Sequence, residues 1–311
     1  MSITLNWKNR GQAVTAVKIY RGTSRIVPFT LLTTLGVVET YTDDTVEINK
    51  LYYYQIALVI NGEEIPGAIL PLATLVDTGP GPTTLQNGTM EFGYFGKLTT
   101  AEFFTTAGLN TAISGIPGFT TLGTLITYWR KLAHFGKILY VPDVPSHVVG
   151  SSMAPLAALN TLYGAGLLYG HGKTDKHSLI TGTAVMQNKR VTKDQYEFIF
   201  RLPKAGLYSD PTTSYFVNVS SLESLGSELY LISSNTPNGS INGPLISTAN
   251  AFPRIGTPET IALTIYFLTQ NFVGTNSVAT SYLPSVSVSN MTAGVASASI
   301  YVLPVLELVL S

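Results

Sequence analysis

The sequence predicts a mainly β protein: a β-sandwich over residues 1–76, a Pro/Gly linker over 77–90, and a β-rich α+β domain with two or three short helices over 91–311. Three observations predict it. Short runs of alternating apolar and polar residues fill the N-terminal part, as strands buried on one face require. Asn61-Gly62 lies between two such runs and is the strongest hairpin signal in the chain. Threonine, serine, glycine and tyrosine stand where soluble proteins usually carry charge. Asp, Glu, Lys and Arg make up 12% of the chain, about half the ~25% of a typical soluble domain.

The elements follow in order. Ile3, Leu5 and Trp7 alternate with polar residues and mark a first strand. Residues 14–20 form a second, ending at Arg21-Gly22, and 29–35 a third, before Gly36. Tyr41-Thr42-Asp43-Asp44 reads as a turn, 51–60 as a tyrosine-rich strand, and 65–75 as its hairpin partner. The stretch Asp77-Thr-Gly-Pro-Gly-Pro places the domain boundary, because proline removes an amide donor and glycine resists ordering. Thr99 and Glu102 have capping-box spacing, which predicts a short helix stopping at Gly108. Tyr128-Trp129-Arg130 leads toward a strand at 136–142.

Leu156, Leu159 and Leu162 stand at helical spacing within 155–163, with Gly164 as terminator. A β-pair is expected from 179–186 and 195–202, with Tyr196, Phe198 and Phe200 on one face. Ser220 and Glu223 repeat the capping box before a helix to about Leu231, and 235–250 is a Gly/Pro/Ser/Asn loop. Strands return over 261–311. The terminal run is apolar on both faces until Glu307, which predicts a buried central strand interrupted at Pro304.

Composition excludes several kinds of chemistry. With no cysteine, there is no disulfide, thiolate zinc site, iron–sulfur cluster or cysteine nucleophile. Eighteen basic and 18 acidic side chains balance, leaving no electrostatic footprint for nucleic acid or an anionic membrane. The first ten residues lack the apolar core of an export signal, and glycine, proline and threonine break every run long enough to suggest a membrane helix. So few charges beside 45% hydrophobic residues favour burial of the surface against copies or partners.

Candidate chemistry is sparse. His171, Asp175 and His177 lie close together in "HGKTDKH" and are the weak metal candidates, but Lys173 and Lys176 would repel a cation. His134 and His147 have no partner by spacing; His134, beside Phe135, suits a core or interface. No Gly-x-Ser-x-Gly elbow is present, and "GPGPTT" lacks the Lys-Ser/Thr of a phosphate loop. Paired carboxylates would suit glycoside cleavage. Glu91, Glu102, Glu197, Glu223, Glu228, Glu259, Asp143, Asp175, Asp194 and Asp210 are scattered, and Glu197 should face outward. Seventeen tyrosines could line a sugar-binding face, though most stand at strand spacing, where core or subunit contact is the default. No catalytic residue and no cofactor is assigned.

Two resemblances add to this reading. "ITLNW", "VKIYRG", "YTDDTVEINKLYYYQIALV" and the closing hairpin resemble a small fibronectin type III-like or immunoglobulin-like sandwich with a short or missing first strand. The likeness implies a tyrosine corner filled by Tyr52 or Tyr54. Further on, "YWRKLAHFGKILYVP", "GAGLLYG", "YEFIFRLPKAG", "GSELYLIS" and "PVLELVL" are similar, in that order, to a domain of tailed-bacteriophage virion structural proteins. Leu229 and Leu303 depart from that pattern, where an aromatic and an arginine are usual.

The resemblance implies a non-enzymatic component of the virion, assembled in the host cytoplasm: a neck or collar, tail or baseplate element. Its partners would be copies of itself in a symmetric oligomer and other virion structural proteins, with no nucleic acid and no membrane. The alternative it implies is a receptor- or glycan-binding fibre or head-decoration protein facing a host-surface glycan.

Overall fold

The computed structural model describes residues 1–9, 13–122, 126–143, 146–149, 153–176, 180–203, 265–273, 277–283, 288–292 and 300–310, with backbone alone for the strands between 265 and 292. The protein is mainly β, with several antiparallel sheets, and its contacts divide it into two compact units.

The first unit comprises Met1–Thr78 with Thr89–Glu91. Its strands are β1 (Ile3–Asn6), β2 (Val14–Gly22), β3 (Thr30–Leu35), β4 (Thr40–Asp43), β5 (Leu51–Ile60) and β6 (Glu63–Ala73). They form a two-stranded sheet, β1-β4, and a four-stranded one, β3-β2-β5-β6. Ile3 and Leu5 of β1 share one core with Val14, Val17 and Ile19 of β2 and with Tyr52 and Tyr54 of β5. Both sheets therefore close over the same apolar layer.

The segment 41–44, read as a turn, is instead mostly strand: Thr40–Asp43 pairs antiparallel with β1. The turn chemistry of Asp43 acts just after the strand, where its carboxylate accepts from the Thr45 amide at 2.9 Å. The Asn61-Gly62 hairpin forms as its sequence requires, with both residues at positive φ (52° and 83°) between β5 and β6. Of the two corner tyrosines, Tyr52 takes the backbone contact: its hydroxyl accepts from the Glu47 amide at 3.0 Å. Tyr54 instead donates to Asp43 at 2.7 Å.

The second unit contains Gly79–Gly88 and most of the chain after Phe92. Its elements are β7 (Asn87–Gly88), β8 (Phe92–Thr99), α1 (Thr106–Ile113), β9 (Thr120–Thr121), β10 (Tyr128–His134), β11 (Lys137–Pro142), β12 (His147–Val149) and α2 (Pro155–Gly164). Then come β13 (Arg190–Lys193), β14 (Tyr196–Arg201), β15 (Ile265–Val273), β16 (Ser277–Leu283), β17 (Val288–Thr292), β18 (Ile300–Val302) and β19 (Val305–Leu308). Seven strands run in the order β13-β14-β19-β11-β10-β8-β7, and six in the order β17-β16-β15-β18-β12-β9.

The Pro/Gly stretch read as a linker is largely part of this unit. Lys131 Nζ donates to the Gly79 carbonyl at 3.1 Å, and the Tyr140 hydroxyl to that of Pro80 at 2.9 Å. Proline lacks an amide but keeps its carbonyl, so the segment can dock through acceptors alone.

Local signals were redirected in three places. The Thr99–Glu102 box forms, with the Thr99 amide 2.7 Å from Glu102 Oε2, but it closes only a turn. Phe103 and Phe104 then dive into the core, and α1 begins at Thr106, capped by Thr105, with Gly108 inside it. Tyr128-Trp129-Arg130 belongs to β10, which turns through Phe135 (φ 47°) and Gly136 (φ 80°) into β11. The described part of 179–186 is not a strand, and β14 pairs with β13. There the buried Gln187 amide donates to the carbonyls of Tyr163 (2.8 Å) and Val185 (3.0 Å), taking the place of ladder bonds. The helix expected after Ser220 and the loop at 235–250 lie outside the described residues.

The terminal run is central twice over. β18 lies between β15 and β12, and β19 between β14 and β11, so the chain changes sheet at Leu303-Pro304. Leu303, Pro304, Val305 and Leu306 are all buried, as a strand covered on both faces must be.

Candidate functional site

The first unit contains a cavity of about 480 Å³, within the size range of small-molecule sites. Its walls come from the end of β2, the loop after it, the start of β3, and the approach to β5. Arg21, the penultimate residue of β2, emerges from the core behind Val17 and Ile19, and its side chain keeps 21% of its surface exposed. Its Nη1 donates to Asp43 Oδ2 at 2.7 Å and to Thr45 Oγ1 at 2.9 Å.

Asp43 is fully buried and also accepts from the Tyr54 hydroxyl and from Thr45 Oγ1 (both 2.7 Å). Burial alone would raise its carboxyl, but the hydrogen bonds from Thr45 and Tyr54 and the Arg21 charge outweigh that and hold it below the usual range. Burial, then the bond to Asp43, raises the Tyr54 phenol. The guanidinium is thus held by an ionised carboxylate beneath it.

Tyr52 forms another wall, with the Arg21 guanidinium 4.8 Å and Lys50 Nζ 5.6 Å from its ring centre. Lys50 also pairs with Glu47 at 2.6 Å. Chemically the cavity offers two cations beside an aromatic ring, one exposed carboxylate, and a rim of hydroxyls.

The second unit keeps its polar groups inside. Ser146 Oγ lies 2.8 Å from His147 Nδ1, and His147 Nε2 lies 2.8 Å from Asn110 Oδ1. An acceptor at Nε2 sets that nitrogen as the donor, so Nδ1 receives the serine proton. Burial pushes the imidazole down to about 4, so it is neutral. Ser146 and His147 are fully buried, so the pair ties α1 to β12 and presents no nucleophile at a surface. In β19, Glu307 accepts from Arg201 Nε at 3.0 Å and pairs with Lys137. His134, also buried, meets Phe92 and Phe135 edge-on.

Of the three weak metal candidates, His171 and Asp175 lie among the described residues. The His171 ring stacks on Tyr169, and its Nδ1 accepts the Lys173 amide at 3.1 Å. Asp175 is exposed, and His177 lies outside the described residues. No group of three potential ligands occurs among those described.

The carboxylates go to local duties. Glu91 takes the Tyr53 hydroxyl and Arg25, Glu102 the capping box, Asp143 the Thr127 amide and hydroxyl, and Glu197 pairs with Arg190 at the surface. Glu223, Glu228, Glu259 and Asp210 lie outside the described residues. Sequence reasoning did not single out Arg21 and Lys50. The signal available was Arg21 in "VKIYRG" and Lys50 two residues before Tyr52, both inside the sandwich-like segments.

Among the described residues, no helix is long and apolar enough to cross a membrane. No family model matches the chain, and neither a curated protein nor a solved structure matches it.

Proposed function

We propose that the chain is a non-enzymatic structural subunit of a tailed-phage particle, a neck or collar, tail or baseplate element that works by packing against copies of itself and other particle proteins. One observation carries the reading beyond the sequence. Among the described residues, the large apolar side chains left in solvent concentrate in the first unit: Ile26 (79% exposed), Val37, Val76, Val27, Ile48 and Ile65. Scattered single exposures are ordinary, but this many on so small a unit, in so weakly charged a chain, fits a surface that is covered in use.

Sedimentation of the purified chain at micromolar concentration, with a map of the parent particle, tests the proposal. The expected result is a symmetric oligomer, or incorporation, with subunit contacts above ~1,000 Å². A monodisperse monomer with no such contact in the particle would reject it. A second reading, a receptor- or glycan-binding fibre or decoration protein, is favoured by the cavity beside Arg21 and Tyr52. A fibre-tip protein would be soluble as an oligomer on its own, whereas a ring component would need its neighbours.

A further inference from the structure

The cavity of the first unit differs from an ordinary surface dimple in how firmly its polar walls are held. Arg21 Nη1 donates to Asp43 and to Thr45. Those bonds do not engage Nε or Nη2 of a guanidinium that lines the cavity. A guanidinium fixed along one edge can meet a planar carboxylate with the other. Tyr52, 2% exposed, is pinned through its hydroxyl to the Glu47 amide and fixes the wall between the two cations. Lys50 brings a second positive charge, 38% exposed, to the same space.

The remaining walls are not those of a pure anion site. The Glu47 carboxylate is 70% exposed and accepts from Lys50 through one oxygen. Thr23, Ser24 and Thr30 add hydroxyls, and Phe29 an apolar ring. Hydroxyl acceptors and donors, one aromatic face and a forked cation together match a sugar ring that carries a carboxylate. A simple anion would leave Glu47 opposing it, and a neutral sugar would offer no planar acceptor to the edge of the Arg21 guanidinium that Asp43 and Thr45 do not engage.

We propose that this cavity is a binding site for an acidic saccharide, with Arg21 and Lys50 receiving the carboxylate and Glu47, Thr23 and Ser24 the ring hydroxyls. A saccharide site here does not depend on the packing role and would survive its failure.

Titration of the full chain with D-glucuronate, D-glucose and acetate, followed by NMR or calorimetry, tests it. Glucuronate is expected to bind at least tenfold more tightly than either control, and 0.5 M salt should weaken it several-fold. Arg21→Gln should abolish binding. Because that change also strips Asp43 of a partner, two further variants guard the result. Lys50→Met removes an exposed pair, and Ser24→Tyr fills the cavity from an exposed position. Each should leave the melting temperature nearly unchanged and reduce affinity at least fivefold. The proposal is overturned if glucuronate shows no binding at about 10 mM, tenfold above a Kd of about 1 mM, or if both guarded variants bind normally. Equal binding of acetate, or of glucose, would also reject an acidic-saccharide site.

Discussion

His147 and Glu307 show what a single polar side chain costs and holds inside this fold. His147 stays neutral in the folded chain down to about pH 4, whereas an unfolded histidine takes up a proton near pH 6.5. Between those values the unfolded chain binds more protons, so stability falls as the pH drops through that window and the neutral-histidine contribution is fully present above it. The shift corresponds to roughly 3 kcal/mol. His147→Gln keeps a polar side chain but cannot titrate, so its melting temperature should fall less steeply than the wild type between pH 7 and 4. Parallel curves would show that His147 does not set the slope.

Glu307 is the residue-scale opposite, a buried carboxylate that pairs with both Arg201 and Lys137. Glu307→Gln removes the carboxylate that accepts from the buried Arg201 and pairs with Lys137, a change expected to cost about 1–3 kcal/mol. Chemical denaturation checks this, and Arg201→Met combined with Glu307→Leu should recover much of the loss. If the single variant is as stable as the wild type, the pair is not a structural element.

At the scale of elements, Gly81 gives the sharpest test of the docked Pro/Gly segment. It lies at φ +79°, and a Cβ added there would sit 2.4 Å from Leu98 Cγ. Gly81→Ala should therefore destabilise by about 1–3 kcal/mol, through backbone strain and overpacking together. A thermal melt within a degree of wild type would mean that the segment is as loose as its composition suggests.

Composition alone does suggest looseness, and that is why the docking was not legible: the bonds at Gly79 and Pro80 come from side chains on β10 and β11, about 50–60 residues further on. The hairpin at Asn61-Gly62 and five of the six strands of the first unit were legible because each shows in its own alternation or turn residues, whereas β4 was read as a turn and is a strand through its pairing with β1. The Thr99 box misled because a cap identifies only its own turn, and the buried Phe103 and Phe104 decided what came next. The 179–186 run looked like a strand until Gln187 supplied bonds that no periodicity encodes. The cavity was illegible for the same reason as the docked segment. Arg21, Asp43 and Tyr52 meet only after β2, β4 and β5 have packed, although the tyrosine corner that fixes Tyr52 was readable beforehand.

For the whole molecule, the two units are expected to separate under limited proteolysis. The boundary at Thr78-Gly79 joins stretches assigned to different units, so early cleavage should fall near 76–78, and a fragment of the first unit should keep its fold. First cleavage inside β5 would contradict that division. Deleting residues 301–311 removes an interior strand, β19, of the seven-stranded sheet and most of β18 from the six-stranded one. The second unit should then be insoluble or fail to assemble while the first stays folded, as heteronuclear NMR of the N-terminal resonances would reveal. A truncated chain that is soluble and melts as before would refute this.

The placement of β18 and β19 also dictates a schedule. Both are made after every other strand of the sheets they complete. At about 5–20 residues per second, the stretch from β8 to β19 takes on the order of 10–40 s to synthesise. Throughout that interval β11 and β14 lack the neighbour that joins them, as do β12 and β15. The nascent second unit therefore waits with four strand edges open, and unpaired edges recruit whatever strand arrives first. A translating polysome would hold many such half-built sheets side by side. Chaperone occupancy during synthesis should peak while these edges are open and drop once the residues around Pro304 have cleared the ribosome tunnel.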